Sequence, residues 1–340
     1  MFRKMERCDD RRSVSLTIVS DTGAAAPPGP PPTTSIESGY AYFQGAVVPM
    51  ADAKVSVATH ALNYGTGCFE GIRGYWNEQE EQLYLLKLPE HYRRFLKSCH
   101  VLKIAHGLSV DDLCRITRDV VRQCGYRQDV YVRPLAYKAS PVIKVALRGL
   151  RDEVTVFAVP MGNYVNINGL RLMTSAWQRI NDNAIPARSK VSGGYINAAL
   201  AVDDAQQMGF DDAVMLTRDG HVSEATSANL FIVSDGRLLS PPVTDDILVG
   251  ITRDAVQELA HDLGLELEFR GIDRTELFSA DEVFLCGTGV QIAPVTEIDH
   301  RTIGGGATGP VTAALQHAYF AAARGQDPRH RDWVTPVYEG

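Results

Sequence analysis

The 340-residue sequence predicts an α+β or α/β protein of two domains. Three observations predict it. The length exceeds the ~100–200 residues of one ordinary domain. Strand-like and helix-like runs mix in both halves, as in layered folds of sheets and helices. A polar, glycine-bearing stretch, MGNYVNINGL (161–170), separates the halves and reads as a linker or a lid. The expected division is a tail over 1–38, a small α/β domain over 39–160, a linker over 161–173 and a large domain over 174–340.

The elements follow in order. Residues 1–38 read as a disordered, dispensable tail. Charges of both signs crowd positions 3–12, and AAAPPGPPPTTS runs over 24–35, a composition with little apolar surface to bury. GYAYFQGAVVPM (39–50) alternates around Gly45 and predicts a hairpin. Between 89 and 104, Tyr92, Phe95, Cys99 and Leu102 recur at helical spacing. Arg94 lies off that stripe and, on the helix pattern alone, is expected in solvent. Ser109 reads as an N-cap, with Leu113, Ile116 and Val120 on one face behind it. VYVRPLAY (130–137) and VTVFAVP (154–160) read as strands. In the second half, helices are expected over 196–208 and 251–263, stopped by Gly209 and Gly264. Strands are expected at AVMLT (213–217), NLFIV (229–233), RLLSP (237–241) and EVFLC (282–286).

Composition excludes several classes of function. The net charge is −7, which argues against a general nucleic-acid binder. No run of 18 apolar residues is present, so no transmembrane span is expected. The six cysteines form no C-x-x-C pair, and the nine histidines form no H-E-x-x-H, so no metal is expected. The first thirty residues lack an apolar h-region, and a cytoplasmic protein is expected. G-x-S-x-G and G-x-x-x-x-G-K-[ST] are missing, and no clean G-x-G-x-x-G follows an expected strand.

Three features carry chemistry. In NDNAIPARSKVSGGYINAALA (181–201), Lys190 sits between Pro186 and Gly193–Gly194, among Ile185, Val191 and Tyr195. A lysine amine among apolar groups loses its proton more readily and can act as a nucleophile. LVGITRDAV (248–256) opens a helix whose free N–H groups can bind a phosphate, and LCGTGVQIAPV (285–295) can expose backbone amides after a strand. In GHVSEATSANLFIV (220–233), Glu224 stands in a Ser/Thr-rich turn before an apolar strand. Taken one at a time, these are a loop lysine, two turns and a surface carboxylate.

Taken together, the segments resemble the fold-type IV aminotransferases, which use pyridoxal 5′-phosphate (PLP), and most closely the branched-chain amino acid aminotransferases. The resemblance runs in register through THALNYGTGCFEGIRGY (59–75), LPEHYRRF (88–95), YVRPLAYK (131–138), DNAIPARSKVSGGYIN (182–197), GHVSEATSANLF (220–231), PPVTDDILVGITR (241–253) and DEVFLCGTGVQIAPVTEID (281–299). It implies a two-domain, D-amino acid aminotransferase-like architecture. It also implies that Lys190 bonds covalently to the cofactor and that Glu224 faces the pyridine nitrogen. Arg94, Ile251, Thr252 and Thr288 would hold the phosphate, and Tyr195 would contact the ring hydroxyl.

At the substrate end, the resemblance implies that Tyr131 and the Thr288–Gly289 backbone hold the α-carboxylate. Arg133, Tyr164 and Tyr64 of a second copy would receive the γ-carboxylate of glutamate. Phe69, Tyr164 and Met161 would supply apolar walls. The implied reaction is transamination of leucine, isoleucine and valine with 2-oxoglutarate, in a homodimer or a multiple of dimers. D-amino acid aminotransferase, (R)-amine transaminase and aminodeoxychorismate lyase share the fold, and the pair Tyr131-x-Arg133 favours the branched-chain reading. Lys144 stands where related sequences often have Gly, and Ala228 where many have Glu.

Overall fold

A computed structural model describes residues 38–338 except Tyr164 and Ile167. The expected tail lies outside the described residues but for Ser38, and so does Tyr164. The expected hairpin forms from β1 (Tyr40–Phe43) and β2 (Ala46–Pro49), with Phe43 opposite Ala46. Its tight turn requires positive φ at both central residues. Gln44 and Gly45 supply it, at φ 49° and 89°.

The chain continues through α1 (His60–Tyr64), β3 (Gly67–Phe69), β4 (Ile72–Asn77), β5 (Gln82–Leu86), α2 (Leu88–Val101), α3 (Val110–Cys124), β6 (Val130–Lys138) and β7 (Asp152–Pro160). The second part comprises β8 (Leu170–Thr174), α4 (Tyr195–Gln207), β9 (Asp212–Leu216), β10 (Val222–Ala225), β11 (Asn229–Ser234), β12 (Arg237–Ser240) and α5 (Ile251–Asp262). After these come β13 (Leu267–Phe269), α6 (Glu276–Ser279), β14 (Glu282–Gly287), β15 (Gln291–Ile298), β16 (Arg301–Thr302), α7 (Pro310–Ala323) and β17 (Val334–Pro336).

Two sheets result. The first runs β17-β5-β4-β6-β7-β1-β2, with β3 also on β6. The second runs β10-β9-β8-β15-β14-β11-β12-β13, with β16 on β15. β8 pairs parallel with both β9 and β15, so the second sheet is mixed. Residues 170–173, expected as the end of a linker, are strand. Leu170 and Leu172 are buried while Arg171 is exposed, the alternation of a half-covered strand. Val334–Pro336 pairs with β5 and so belongs to the first sheet, although it falls within the span 174–340 expected for the large domain.

Ser109 caps α3 as expected, in a reciprocal capping box with Asp112. α2 and α3 bury Tyr92, Phe95, Leu113, Ile116 and Val120 with Val130 and Val132 of the first sheet. A second cluster joins Tyr75, Tyr84 and Leu86 of the first sheet to Phe231 and Phe284 of the second, through Leu259 of α5 and Tyr319 of α7. The two sheets thus share a core, and the site forms between them.

One carboxylate on β9 carries a pH prediction. Asp212 accepts hydrogen bonds from Thr226 Oγ1 (2.6 Å) and from the amide of Ala213 (2.7 Å). Burial nevertheless pushes its pKa up to about 6, against those hydrogen bonds. The folded state thus holds this proton where the unfolded chain releases it, and above about pH 6 the full cost of ionisation falls on the fold. Asp212→Asn should raise stability at pH 8 by at most ~3 kcal/mol and change little near pH 3.5, where both states are mostly protonated. Urea unfolding at the two pH values checks this; an equal effect at both would remove titration as the cause.

Candidate active site

The site is assembled around the segment that precedes α4. The Lys190 amide donates to Ser98 Oγ (3.3 Å), and its carbonyl accepts from the Phe69 amide (3.0 Å). Cys68 forms a bridge with Val191, so β3 runs directly beside the lysine. Two glycine segments meet here. The Gly193 amide donates to Gly65 (3.2 Å), and a Cβ on Gly65 would lie 2.7 Å from Gly193 Cα. No side chain fits at Gly65, whose φ of 64° also suits glycine. With its main chain fixed, Lys190 projects Nζ to 5.2 Å from the Phe69 ring centre and 5.5 Å from that of Tyr195.

Glu224 lies on β10 and is buried, not a surface carboxylate. It accepts from Arg179 Nη2 (2.6 Å), Asn229 Nδ2 (2.8 Å) and the Leu248 amide (3.3 Å). Burial raises its pKa, opposed by the Arg179 charge, the Leu248 hydrogen bond and the charges of Lys190 and Arg94.

α5 begins at Ile251 behind Gly250, and no side chain caps its first turn. Those N–H groups are free for an anion. A Cβ on Gly250 would fall 2.0 Å from Asn229 Oδ1, so glycine is required where the helix enters the site. Ile251, Thr252 and Thr288 line one pocket with Arg73, Lys87 and His91.

Arg94 corrects the helix-pattern expectation. It is only 9% exposed, with Nε and Nη2 on Glu70 (2.7 and 2.8 Å) and Nη1 on the Val249 carbonyl (2.7 Å). The physical reason is that α2 is covered on two sides. Tyr92, Phe95 and Cys99 face the first core, while His91, Arg94 and Ser98 form a second buried row at i, i+3 and i+7.

Tyr131 and Arg133 share one face of β6, two residues apart. Arg133 Nη2 donates to Tyr131 Oη (3.0 Å), and the guanidinium lies 4.3 Å from the Phe69 ring centre. Phe69 is in turn 4.8 Å from the Tyr195 ring. A Cβ on Gly71 would meet Tyr131 Oη at 2.1 Å, so this glycine makes room for the tyrosine. Met161 is half-buried and anchored by its amide to the Asp129 carbonyl (3.0 Å). Gly289 is half-buried in the turn after β14. Tyr64 packs on the His60 ring at 4.6 Å and is 37% exposed, so its ring contact within one chain is on α1.

The structure thus groups Lys190, Phe69, Tyr195, Tyr131 and Arg133, and separately Ile251, Thr252 and Thr288. It also brings in residues that the pattern did not single out: Glu70, Ser98, Arg179, Asn229 and Arg73. Arg73 is 1% exposed and donates through Nη2 to the Gly162 carbonyl (2.9 Å), tying Gly162 to β4. The donor set suits a phosphorylated cofactor: a helix N-terminus, two threonines and an arginine at one end, with a lysine and a buried carboxylate in the same site.

The sequence model of the family described as amino-transferase class IV matches residues 67–298. The chain belongs to that family. A relative from Aquifex aeolicus, named a probable branched-chain-amino-acid aminotransferase, is 43% identical over 307 residues, 90% of this chain and 99% of the relative. Among solved structures, the branched-chain aminotransferase of Thermoproteus uzoniensis with norvaline is 38% identical, with a TM-score of 0.86 over 88% of this chain and all of that one. The branched-chain amino acid aminotransferase of Thermobaculum terrenum in its PLP form is 37% identical, with a TM-score of 0.85 over 89% of this chain and all of that one. The two-sheet arrangement is accordingly the two-domain, fold-type IV architecture of class IV aminotransferases.

Proposed function

We propose that this chain is a PLP-dependent aminotransferase that moves the amino group of leucine, isoleucine or valine to 2-oxoglutarate. One observation carries the substrate reading. Phe69 touches both Lys190 and Arg133, which sets one cation on an apolar wall beside the reactive amine. Branched side chains need the wall, and the γ-carboxylate of glutamate needs the cation.

When bound, PLP supplies an electron sink for the bond at the substrate α-carbon. Lys190 holds the cofactor and then moves the α-proton as base and acid. Glu224, fixed by Arg179 and Asn229, keeps a proton on the ring nitrogen. Arg94, Thr288 and the N–H groups at Ile251 and Thr252 take the phosphate, and Tyr195 takes the ring hydroxyl. Tyr131 and the Thr288–Gly289 backbone orient the α-carboxylate. Arg133 and Tyr164 receive the γ-carboxylate, and Phe69, Tyr164 and Met161 keep water from the side chain. The two substrates use one site in turn, so the kinetics are ping-pong.

A panel of L-, D- and aromatic amino donors with 2-oxoglutarate, read as glutamate formed, tests this reading. Leucine, isoleucine and valine should lead. A dominant D-donor, or pyruvate released from aminodeoxychorismate without an acceptor, would replace it with another reaction of the same fold. We assign the enzyme to the cytoplasm and to branched-chain amino-acid biosynthesis. No helix among the described residues is long and apolar enough to cross a membrane.

The working unit is at least a homodimer. Val57, Leu62, Ile143 and Val145 are 65% to 89% exposed. They lie on two adjoining segments, since His60 Nε2 bonds the Lys144 carbonyl and the His60 amide bonds that of Ser140. Tyr64 belongs to the same surface, and its place in the site is that of a second copy. Mixing inactive Lys190→Ala chains with impaired Tyr64→Ala chains should restore up to about a quarter of the wild-type activity, since a mixed two-fold dimer keeps one site with both residues. No recovery after demonstrated subunit exchange, or a fully active monomer in sedimentation, defeats the shared site.

A further inference from the structure

We propose that Glu70 and His91 are positioning residues for the phosphate end of the cofactor, acting through Arg94. The inference rests on the PLP reading above and adds two residues to it. Glu70 is fully buried, and its carboxylate takes the Arg94 fork at 2.7 and 2.8 Å. The same carboxylate accepts from His91 Nδ1 at 2.8 Å. Burial would raise the Glu70 pKa, but the Arg94 charge and the hydrogen bonds from Arg94 and His91 hold it well below the usual carboxylate range. Burial lowers the His91 pKa against the pull of Glu70. The row therefore reads as neutral His91, carboxylate Glu70 and charged Arg94.

This arrangement fixes a long side chain that would otherwise sample many rotamers. A bidentate arginine–carboxylate pair sets the plane of the guanidinium as well as its place. With Nη1 on the Val249 carbonyl, the plane is pinned at the entrance to α5, and the remaining N–H groups are left for an anion. Glu70 also balances a buried charge, which would be costly alone. Its neighbours in sequence serve the other end of the site. Phe69 forms the wall under Arg133, and Gly71 clears Tyr131 Oη. The three-residue run at the end of β3 thus sets the substrate wall and the phosphate clamp in register.

A residue that works through Arg94 should matter for PLP and not for pyridoxal, which lacks the phosphate. The full-length chain, stripped of cofactor, is titrated with each. Glu70→Gln should weaken PLP binding roughly 10–100-fold, the size found when outer partners that orient metal ligands are removed. Pyridoxal affinity should stay within about twofold. Arg94→Gln should show the same selective loss, and the double variant should be no worse than Arg94→Gln, because coupled residues are not additive. His91→Asn leaves the fork in place and should give a smaller loss of the same kind. If Glu70→Gln does not fold, the double variant, which removes both charges together, and His91→Asn carry the test.

Equal losses for PLP and pyridoxal, or losses that add in the double variant, would mean a structural role and overturn the inference. Failure of the unaltered chain to bind PLP would overturn the proposed function itself, and it is read first, before any variant.

Discussion

Lys190→Ala should lower the single-turnover rate with leucine by at least about 10⁴-fold, because under the proposed function one substitution removes both the covalent attachment and the proton-transfer base. The fold should survive. The groups that pin this segment are main-chain groups, the Lys190 amide on Ser98 and its carbonyl on Phe69, and alanine keeps both. Borohydride reduction of the loaded enzyme should mark one peptide, and that mark should vanish in the variant. Two lysines that are buried, Lys87 and Lys138, are already committed. Lys87 Nζ sits on Glu258 at 2.6 Å and over the Trp333 ring at 3.9 Å. Lys138 Nζ is held by Asp152 at 2.8 Å and by the Lys103 carbonyl at 2.6 Å. A label on either one, or a variant within tenfold of the parent rate, would remove Lys190 from its role.

Most elements with a strong period were legible in the sequence. The Ser109 cap and the strands over 130–137 and 154–160 lie within a residue or two of the expected ends, and the α2 stripe forms a helix that stops three residues short of the expected stretch. The hairpin of β4 and β5 was not. Four consecutive residues of each are buried, so no alternation marks them, and Arg73 interrupts the apolar run. β15 is buried along its first five residues and carries Pro294, which a strand pattern disfavours. β17 could not be assigned to the first sheet from sequence, because its partner β5 lies some 250 residues earlier and nothing local encodes that return.

The site divides in a similar way. Lys190 and the α5 entrance stood out through apolar or glycine-bearing surroundings and Glu224 through a Ser/Thr-rich turn before an apolar strand, and the family resemblance supplied their proposed roles. Arg94 resisted a pattern reading because one helical stripe suggests one buried face, while α2 has two. The signal was present as a polar row, His91, Arg94 and Ser98, with helical spacing of its own. Glu70 and Arg179 had no such signal. Glu70 is one carboxylate in FEGIR, and its value depends on an arginine 24 positions on. Arg179 reaches Glu224 across 45 residues of chain. Charges whose partners are remote in sequence look solvated until the fold pairs them.

Arg133→Met should separate the two substrates. The guanidinium spends Nη2 on Tyr131 Oη, lies over the Phe69 ring, and leaves its buried Nε without a protein partner. A carboxylate arriving at that edge would find unpaired N–H groups, and arginine suits it because its planar fork matches two oxygens. Methionine keeps an apolar stem against Phe69 and deletes the charge. The leucine half-reaction, which brings no second carboxylate, should stay within about threefold. The glutamate half-reaction loses one member of a desolvated charge pair, a loss of roughly 2–5 kcal/mol, which is about 30-fold or more in single-turnover rate. Tyr131 loses the same hydrogen bond for both substrates, so that effect cancels in the ratio. Equal damage to leucine and glutamate would instead assign Arg133 to the α-carboxylate, through Tyr131, and the γ-carboxylate would need another cation.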